Sequence, residues 1–249
     1  MGTSAAEFPL EGGSLTVFAA ASLTDAFGRI EADLEAANDG LDIAYNFAGS
    51  QALVTQLQEG AEADVFASAN AAQMEAAVDN GSIVGEPVTF VRNRLAIVVP
   101  ADNPAGIEAP ADLADDGIQV VLAQPDVPVG RYARESLCLM GQDETAFDDG
   151  FVDRVVGNVV SEEEDVRDVL ARVQLGEADA GIVYVSDAAT AGEAVRLIEI
   201  PNARNVVAAY PIALVEGSDE ALGSAFVSYL VSPAGQATLE EFGFEPINE

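Results

Sequence analysis

The residues in this chain whose types could do chemistry lie in five short segments, where an apolar run gives way to an amphipathic stretch. They carry small, hydroxyl or turn-forming residues, and they are segments 18–25, 47–51, 126–132, 161–167 and 181–187. Open α/β sheets bind ligands beyond the carboxyl ends of their strands, where the next helix begins. The unpaired amides and the positive dipole end of that helix favour an anion. The segments therefore indicate anion binding through neutral hydrogen-bond donors.

Three of these segments offer a hydroxyl group that could reach a ligand. Ser22 and Ser50 stand at predicted helix starts, and Tyr184 ends a predicted strand, where its hydroxyl could point into a cleft. Each residue also has a purely structural interpretation. A serine at a helix start is most often an N-cap, with Asp25 as the partner of Ser22 in a pair resembling a capping box. A tyrosine at a strand end is as often a core residue, so the residues alone leave both interpretations open.

The other two segments offer backbone amides. In segment 126–132, a proline and a glycine lead into a predicted helix, although a simple turn explains them equally well. In the next segment, Ser161 and Glu164 form a capping-box pattern. That pattern would place Val166 inside the helix with its amide already bonded, and its acidic residues would complement the helix dipole.

The elements that must position these segments follow from the hydrophobic pattern, which alternates short apolar runs with amphipathic stretches. The pattern predicts strands at Leu15–Ala20, Leu41–Phe47, Asp64–Ser68, Leu95–Pro100, Gln119–Ala123, Val155–Val160, Gly181–Val185, Val195–Ile200 and Val207–Val215. It predicts helices at Leu23–Ala37, Gln51–Glu59, Ala71–Asn80, Arg131–Met140, Val166–Leu175, Ala221–Val231 and Ala234–Phe242. Strand–helix alternation of this kind predicts an α/β fold with parallel sheets.

Two features of the pattern indicate passages of the chain between two lobes. Arg92-Asn93-Arg94 precedes a strand near the middle, and two strands without an intervening helix follow near residue 195. We therefore predict a discontinuous lobe one, a continuous lobe two and an N-terminal tail. Lobe one comprises residues 14–91 and 192–249, lobe two residues 92–191, and the tail residues 1–13.

The charge of the chain is unusually one-sided. Its 249 residues include 43 acidic and 10 basic residues, all of the basic ones arginine, for a net charge of −33. Such a charge promotes solubility but opposes compaction, and molar salt would screen the repulsion over about 3 Å. The composition is typical of a salt-adapted (halophilic) protein. It also argues against nucleic acid or an anionic membrane surface as a partner.

The missing residue types exclude several classes of function. With no His and one cysteine, Cys138, the chain can form neither an internal disulfide nor a His-based catalytic triad nor a four-cysteine zinc site. Cys138 lies in a predicted helix with no His partner, and the carboxylates form no paired motif, so we expect no enzyme activity. No apolar run reaches transmembrane length. Residues 1–13 lack the features of a signal peptide, and we expect that they follow a removed leader.

Taken together and in this order, the segments resemble the bacterial-type periplasmic molybdate-binding proteins of ABC importers. The similarity runs from about Leu15 to Phe244, and TVFAAASLT followed by GIVYVSDA is highly specific to that family. Other matching runs are FAGSQALVTQLQEGAEADVFASA, PDVPVGRYARESL, EEDVRDVLARVQLGEADAG and YPIALVEGS. The resemblance implies an α/β, two-lobed type II periplasmic-binding-protein clamshell with mainly parallel sheets and crossover hinge strands.

The resemblance also implies a function, a partner and a location. It implies an extracytoplasmic, monomeric solute-binding protein that captures molybdate or tungstate between its lobes. The protein would deliver that ligand to the membrane permease of an ABC transporter, without catalysis and without a cofactor. Metal would be bound only as its oxyanion, and the full-length precursor would be anchored by a lipid or in the membrane.

Carried over residue by residue, the family pattern implies five ligand-binding positions. One lobe would contribute serine hydroxyls and amides, and the other would contribute two amides and a tyrosine hydroxyl. These positions are Ser22, Ser50, Val129, Val166 and Tyr184.

The sequence departs from the family pattern at two of these positions. Val129 stands where the family often has alanine, although only its amide should be used. The acidic run Glu162–Asp165 precedes Val166. The family pattern places the helix start nearer Glu163 than Ser161, which would free the Val166 amide, and we adopt that prediction.

The chemistry of the donors leaves alternative ligands and functions open. Neutral donors suit a dianion, because charge-assisted hydrogen bonds and helix dipoles replace its hydration, whereas phosphate must also donate a proton. A receptor for another tetrahedral oxyanion, such as sulfate, is the main alternative, because pocket radius is not readable from sequence. The GIVYVSDA segment disfavours the archaeal tungstate type. A cytoplasmic oxyanion sensor would require a DNA-binding segment beyond the two lobes.

Overall fold

The computed structural model describes residues 12–247, so residues 1–11 of the expected tail lie outside the described part of the chain. The strands are β1 Gly13–Ala20, β2 Leu41–Ala48, β3 Val65–Ala67, β4 Ile83–Pro100, β5 Val120–Ala123, β6 Val159–Glu163, β7 Ala180–Tyr184, β8 Val195–Glu199 and β9 Val207–Val215. The α-helices are α1 Thr24–Ala37, α2 Ser50–Gln58, α3 Ala71–Asp79, α4 Pro128–Gly141, α5 Phe151–Gly157, α6 Val166–Gln174, α7 Val185–Ala191, α8 Glu220–Leu230 and α9 Pro233–Glu241. Short 3₁₀ turns occur at Ala21–Leu23, Pro110–Ala114 and Gly192–Ala194.

The chain divides into two compact units. Unit one comprises the residues up to Arg92 together with those from Ala209 onward, and unit two comprises Asn93–Ala208. The second boundary lies later than the one at 191/192 that the pattern predicted. The reason is that β8 pairs antiparallel with β4, Ala96 opposite Glu199, and so belongs to the sheet of unit two.

Unit one is built on strands β2, β1, β3 and β9. β1 runs parallel to β2 and β3, and β9 pairs antiparallel with β3. Helix α1 covers this sheet because its apolar residues recur at a spacing of three and four, which is the face that the sequence predicted. Phe27 on that face is fully buried and meets Phe226 edge-on at 5.7 Å between ring centroids. Phe27→Ala would cost about 3–5 kcal/mol of stability through the cavity it leaves.

Unit two contains a second sheet, in which β5 lies between β6 and β7. Both of these pairs are parallel, whereas β4 pairs antiparallel with β7 and β8. All four residues of β5 are buried, which is typical of a parallel strand covered on both faces. Helices α4 and α6 pack against β5 and β7. Cys138 is exposed on α4.

The structure corrects the prediction of a strand at Val155–Val160. Residues up to Gly157 form α5 instead, and β6 begins at Val159. Phe151 and Val155 are buried one helical turn apart, so tertiary packing favours a helix where β-branched residues indicated a strand. The predicted strand Gly181–Val185 ends at Tyr184, and α7, which the pattern did not predict, follows directly.

No helix within residues 12–247 is both long enough and apolar enough to cross a membrane.

Candidate functional site

Ser22 lies in the 3₁₀ turn between β1 and α1, where its side chain is buried. Its Oγ lies 2.9 Å from the hydroxyl of Tyr210. Helix α1 begins at Thr24 with Leu23 as its N-cap residue and has no side-chain cap. The interpretation of Ser22 as an N-cap is therefore wrong, and its hydroxyl is available for another role.

Ser50 is the first residue of α2 and is also buried. Its Oγ accepts a hydrogen bond of 3.0 Å from the amide of Ala69, and α2 has no side-chain cap. The carbonyl of Gly49 accepts the amides of Ala52 and Leu53 in the first turn. Ser50 therefore does not cap the helix, and its hydroxyl proton remains available for another acceptor.

The parallel register of unit one places both serines at the same edge of the sheet. Ala20 at the end of β1 lies opposite Ala48 at the end of β2. Ser22 and Ser50 each follow two residues later. The amides that begin α2 are unpaired within the helix, so this edge combines two hydroxyls with backbone donors.

Val129 occupies the second position of α4, after Pro128, and its side chain is buried. Its amide is one of the first-turn donors that a helix leaves unpaired. The start of α4 lies close against the end of β5, because a Cβ on Gly130 would lie 2.1 Å from the carbonyl oxygen of Gln124 and 2.4 Å from that of Ala123. Only glycine fits this approach, so Gly130 fixes the position of the neighbouring Val129 amide.

Helix α6 begins at Val166, as the hydrophobic pattern predicts but later than the starts expected from the capping box and from the family pattern. Asp165 is the N-cap: its carboxylate accepts the amides of Arg167 at 2.7 Å and Asp168 at 3.1 Å. The capping box expected from Ser161 does not form, because Ser161 lies in β6 and donates to Glu163 at 2.5 Å. The helix also starts a few residues after Glu163, because β6 continues through that residue, but a start nearer Glu163 than Ser161 agrees with the family pattern.

The late start of α6 leaves Val166 as its first residue, whose amide has no partner within the helix. The surroundings are acidic. The pKa of Asp168 is raised, first by burial and then by the charges of Asp165, Glu163 and Glu164. The amide of Val166 thus remains a candidate donor despite these neighbours.

Tyr184 is the last residue of β7 and is buried. Its backbone amide donates to the carboxylate of Asp187 at 3.2 Å, and Asp187 is fully buried. The guanidinium of Arg167 pairs with the same carboxylate at 3.0 Å. This ion pair joins the first turn of α6, next to Val166, to the first turn of α7, next to Tyr184.

Strand register brings the three candidate positions of unit two to one sheet edge. Ala123 at the end of β5 pairs with Glu163 at the end of β6, and Val121 pairs with Gly181 of β7. Because these strands run in the same direction, α4 and α6 begin beyond the carboxyl ends of β5 and β6, and Tyr184 lies at the carboxyl end of β7. This is the position where α/β sheets bind ligands.

The sequence alone did not point to Tyr210, Arg167 or Asp187. Tyr210 lies in YPIALVEGS, and the other two lie in the runs around EEDVRDVL and GIVYVSDA, all of which carried the resemblance. The only sequence signal for these three residues was that they lie in the runs that carried the resemblance. The pairings themselves join distant residues, with Ser22 and Tyr210 separated by 188 positions.

The donors at these edges are neutral groups of the kind that suit an oxyanion. In the part of the chain from residue 12 to residue 247, no group of three or more His, Cys, Asp or Glu side chains could hold a metal. Hydroxyl and amide groups at helix starts donate hydrogen bonds to an anion and are themselves uncharged.

The sequence is similar to known proteins along most of its length. The sequence matches the family model described as bacterial extracellular solute-binding protein over residues 15–245. The molybdate-binding protein ModA of Mycobacterium tuberculosis H37Rv is 42% identical over 232 residues, which cover 93% of this chain and 84% of that protein.

Solved structures are similar over nearly the whole chain. The substrate-binding domain of a putative molybdenum ABC transporter from Clostridium difficile has a TM-score of 0.69 at 28% identity, covering 94% of this chain and 99% of that one. The periplasmic molybdate-binding protein of Azotobacter vinelandii has a TM-score of 0.79 at 19% identity, covering 92% and 98%. These similarities confirm the predicted α/β fold class.

Proposed function

Because the chain belongs to the family of bacterial extracellular solute-binding proteins, we propose that it binds molybdate outside the cytoplasm and delivers it to an ABC importer. The identity of 42% with a molybdate-binding relative over 93% of the chain supports molybdate as the ligand. The observation that carries the proposal is the convergence of neutral donors at the carboxyl edge of the sheet in each unit. The partner in delivery is the membrane permease of the transporter.

The proposed ligand set comprises side chains and amides at the sheet edge of each unit. Unit one contributes the hydroxyl and amide of Ser22 and of Ser50. Unit two contributes the amides of Val129 and Val166 and the hydroxyl of Tyr184. The buried side chains of the two valines support a role for their amides alone.

Neutral donors suit a fully deprotonated oxyanion such as molybdate. Each hydrogen bond to a charged acceptor contributes about 1.5–3 kcal/mol, so several of them offset the lost hydration. The helix starts add favourable dipoles without a counter-ion. Phosphate near neutral pH must donate a proton, for which such a donor set supplies few acceptors. Tungstate has the same charge and shape, and we propose that it binds as well.

Titration calorimetry with sodium molybdate, tungstate, sulfate and phosphate in molar salt tests the ligand class. We expect molybdate and tungstate to bind at least tenfold more tightly than sulfate, whose shorter bonds leave donors spaced for molybdate too far away. Sulfate binding as tight as molybdate binding would instead identify a receptor for the alternative oxyanion. Absence of binding to all four ions would contradict the oxyanion function.

Alanine variants of the two serines test the proposed ligand set. Ser22→Ala and Ser50→Ala should each weaken molybdate binding about tenfold or more, because each removes a hydrogen bond to a charged ligand. The matched control is Ser232→Ala, because Ser232 is a true N-cap in the same unit, accepting the amide of Gly235 at 3.2 Å. This control should lower stability by about 1 kcal/mol and leave the affinity unchanged. Parent-like affinity in both serine variants would remove them from the ligand set.

A further inference from the structure

The hydroxyl of Ser22 has a buried neighbour that the ligand set does not include. Tyr210 on β9 places its hydroxyl 2.9 Å from Ser22 Oγ, and both side chains are buried. The Tyr210 ring packs edge-on against Phe90 and Phe244, with centroid distances of 6.5 and 5.7 Å. These contacts hold the ring, and with it the hydroxyl, in one position.

The direction of this hydrogen bond decides what Ser22 can offer a ligand. A serine hydroxyl has a single proton and two acceptor lone pairs, and so does the phenolic group of tyrosine. A fully deprotonated oxyanion can only accept hydrogen bonds. If Ser22 donated to Tyr210, it would present lone pairs to the anion, which would repel it.

Ser50 shows the arrangement that avoids this conflict. Its Oγ accepts a bond from the amide of Ala69, a group that can only donate. The proton of Ser50 is therefore left for another acceptor. A proton donated by the Tyr210 hydroxyl to Ser22 would leave the Ser22 proton for the ligand in the same way.

We propose that Tyr210 is a positioning residue that donates its proton to Ser22 Oγ and thereby directs the Ser22 proton toward the bound oxyanion. The inference rests on the proposed function, because it requires Ser22 to be a ligand donor. It also adds a reason for selectivity. With one of its two lone pairs occupied by Tyr210 and its proton directed at the ligand, Ser22 is a poorer acceptor for an anion that carries a proton, such as hydrogen phosphate.

A double-mutant cycle on molybdate affinity tests this role. The parent, Tyr210→Phe, Ser22→Ala and the double variant are titrated with sodium molybdate in molar salt, and their melting temperatures are recorded. We expect Tyr210→Phe to weaken binding about 3- to 10-fold, the range for one neutral hydrogen bond. In the Ser22→Ala background the same change should alter the dissociation constant less than about twofold, since no hydroxyl remains to be directed.

Tyr45→Phe is the matched control in the same unit. The Tyr45 hydroxyl donates to the carbonyl of Phe27 at 3.2 Å, so this variant also loses a tyrosine hydrogen bond but leaves Ser22 untouched. We expect its molybdate affinity to equal that of the parent. A loss as large as that of Tyr210→Phe would show a general effect of a weakened unit and would overturn the proposal.

The remaining outcomes separate this inference from the function on which it rests. An equal effect of Tyr210→Phe with and without the Ser22 hydroxyl would mean that Tyr210 only supports the backbone, and the positioning role would be rejected. An unchanged affinity in Tyr210→Phe beside a weakened Ser22→Ala would reject it as well. Parent-like binding in both Ser22→Ala and Ser50→Ala would instead reject the proposed ligand set.

Neutron diffraction of the parent with molybdate gives a second readout that needs no variant. A deuteron on the Tyr210 oxygen directed at Ser22 Oγ supports the proposal. A deuteron on Ser22 directed at Tyr210 overturns it, whatever the variants do.

Discussion

At residue scale, the amide of Val166 can be removed without removing the helix that it begins. Val166 is the first residue of α6, the position at which proline is best tolerated because its missing N–H has no helical partner. The preceding residue, Asp165, has φ −152° and ψ 177°, the extended conformation that a residue before proline requires. Proline therefore deletes the donor while retaining the local fold.

We predict that Val166→Pro weakens molybdate binding about tenfold or more, since it loses one hydrogen bond to a charged ligand. The melting temperature should stay within a few degrees of the parent, because N1 is compatible with proline. Calorimetry and thermal melting check both expectations. Val166→Ala, which keeps the amide but loses apolar contacts, should show the reverse: near-parent affinity and lower stability. Parent-like binding by Val166→Pro would exclude this amide from the ligand set.

At element scale, the ion pair between Arg167 and Asp187 links the starts of α6 and α7. Asp187 is fully buried, whereas 26% of the Arg167 side chain is exposed. We predict that Arg167→Leu lowers the free energy of unfolding by roughly 3 kcal/mol, because it leaves a buried carboxylate without its counter-charge. Chemical denaturation in molar salt measures this loss.

The control for that variant is a surface ion pair in the other unit. Arg29 and Asp33 pair across one helical turn with 53% and 44% of their side chains exposed, so Arg29→Leu should cost less than about 1 kcal/mol. Equal losses in the two variants would show that the buried pair has no special structural role.

The first turn of α6 also predicts a pH dependence of stability. The pKa of Asp168 is raised above its ordinary value by burial and by neighbouring carboxylates. A carboxyl with a raised folded-state pKa takes up its proton more readily when folded, so its contribution to stability grows as the pH falls. We predict that the parent gains stability relative to Asp168→Asn when the pH falls from 7 to about 4 in low salt.

Asp143→Asn should show the opposite trend. Hydrogen bonds from Thr145 and Arg204 lower the pKa of Asp143, so the stability it contributes is present above the ordinary pKa of a carboxyl and is lost as the pH falls. The parent should therefore lose stability relative to this variant over the same range. Denaturant titrations at several pH values compare the two slopes, and slopes of the same sign would contradict the assignment.

The elements also show why sequence predicts some parts of this fold and not others. The apolar face of α1 was predictable because residues three and four apart repeat over four turns. The seven residues of α5 are too few for that signal, and their valines favour a strand until packing of Phe151 decides otherwise. Several acidic residues precede α6 and each could cap a helix, so the capping box and the hydrophobic pattern gave different starts, and the structure selects the start at Val166 with Asp165 as the cap.

In the candidate site, too, sequence predicts some features and not others. Ser22 and Ser50 were predictable as candidate donors, because small residues and a helix start mark their segments, although the residues alone also allowed a capping role. Their hydrogen-bond partners, Tyr210 and Ala69, were not, since they come from other strands and loops. Local sequence carries the donor itself, whereas the group that orients it depends on long-range packing.

At the scale of the whole molecule, the net charge of −33 predicts different salt responses for folding and for binding. Repulsion among surface carboxylates acts through solvent and is strongly screened, so the melting temperature should rise steeply with salt. Short hydrogen bonds to neutral donors are screened poorly. We predict that between about 0.5 and 3 M salt the molybdate dissociation rate changes less than the association rate, which reflects repulsion of the arriving dianion.

Stopped-flow kinetics under conditions where the protein is folded measures both rates. A dissociation rate that changes more than the association rate would indicate charged ligand contacts.

The single thiol of the chain gives the protein a practical use in analytical chemistry. Cys138 is exposed on α4, nine positions beyond Val129, or about 14 Å along the helix axis. A maleimide fluorophore would therefore attach at one defined place, with one dye per molecule and no engineered cysteine. Because this helix carries the proposed amide donor at its second position, we expect an environment-sensitive dye on Cys138 to report oxyanion binding in brine as a change in fluorescence.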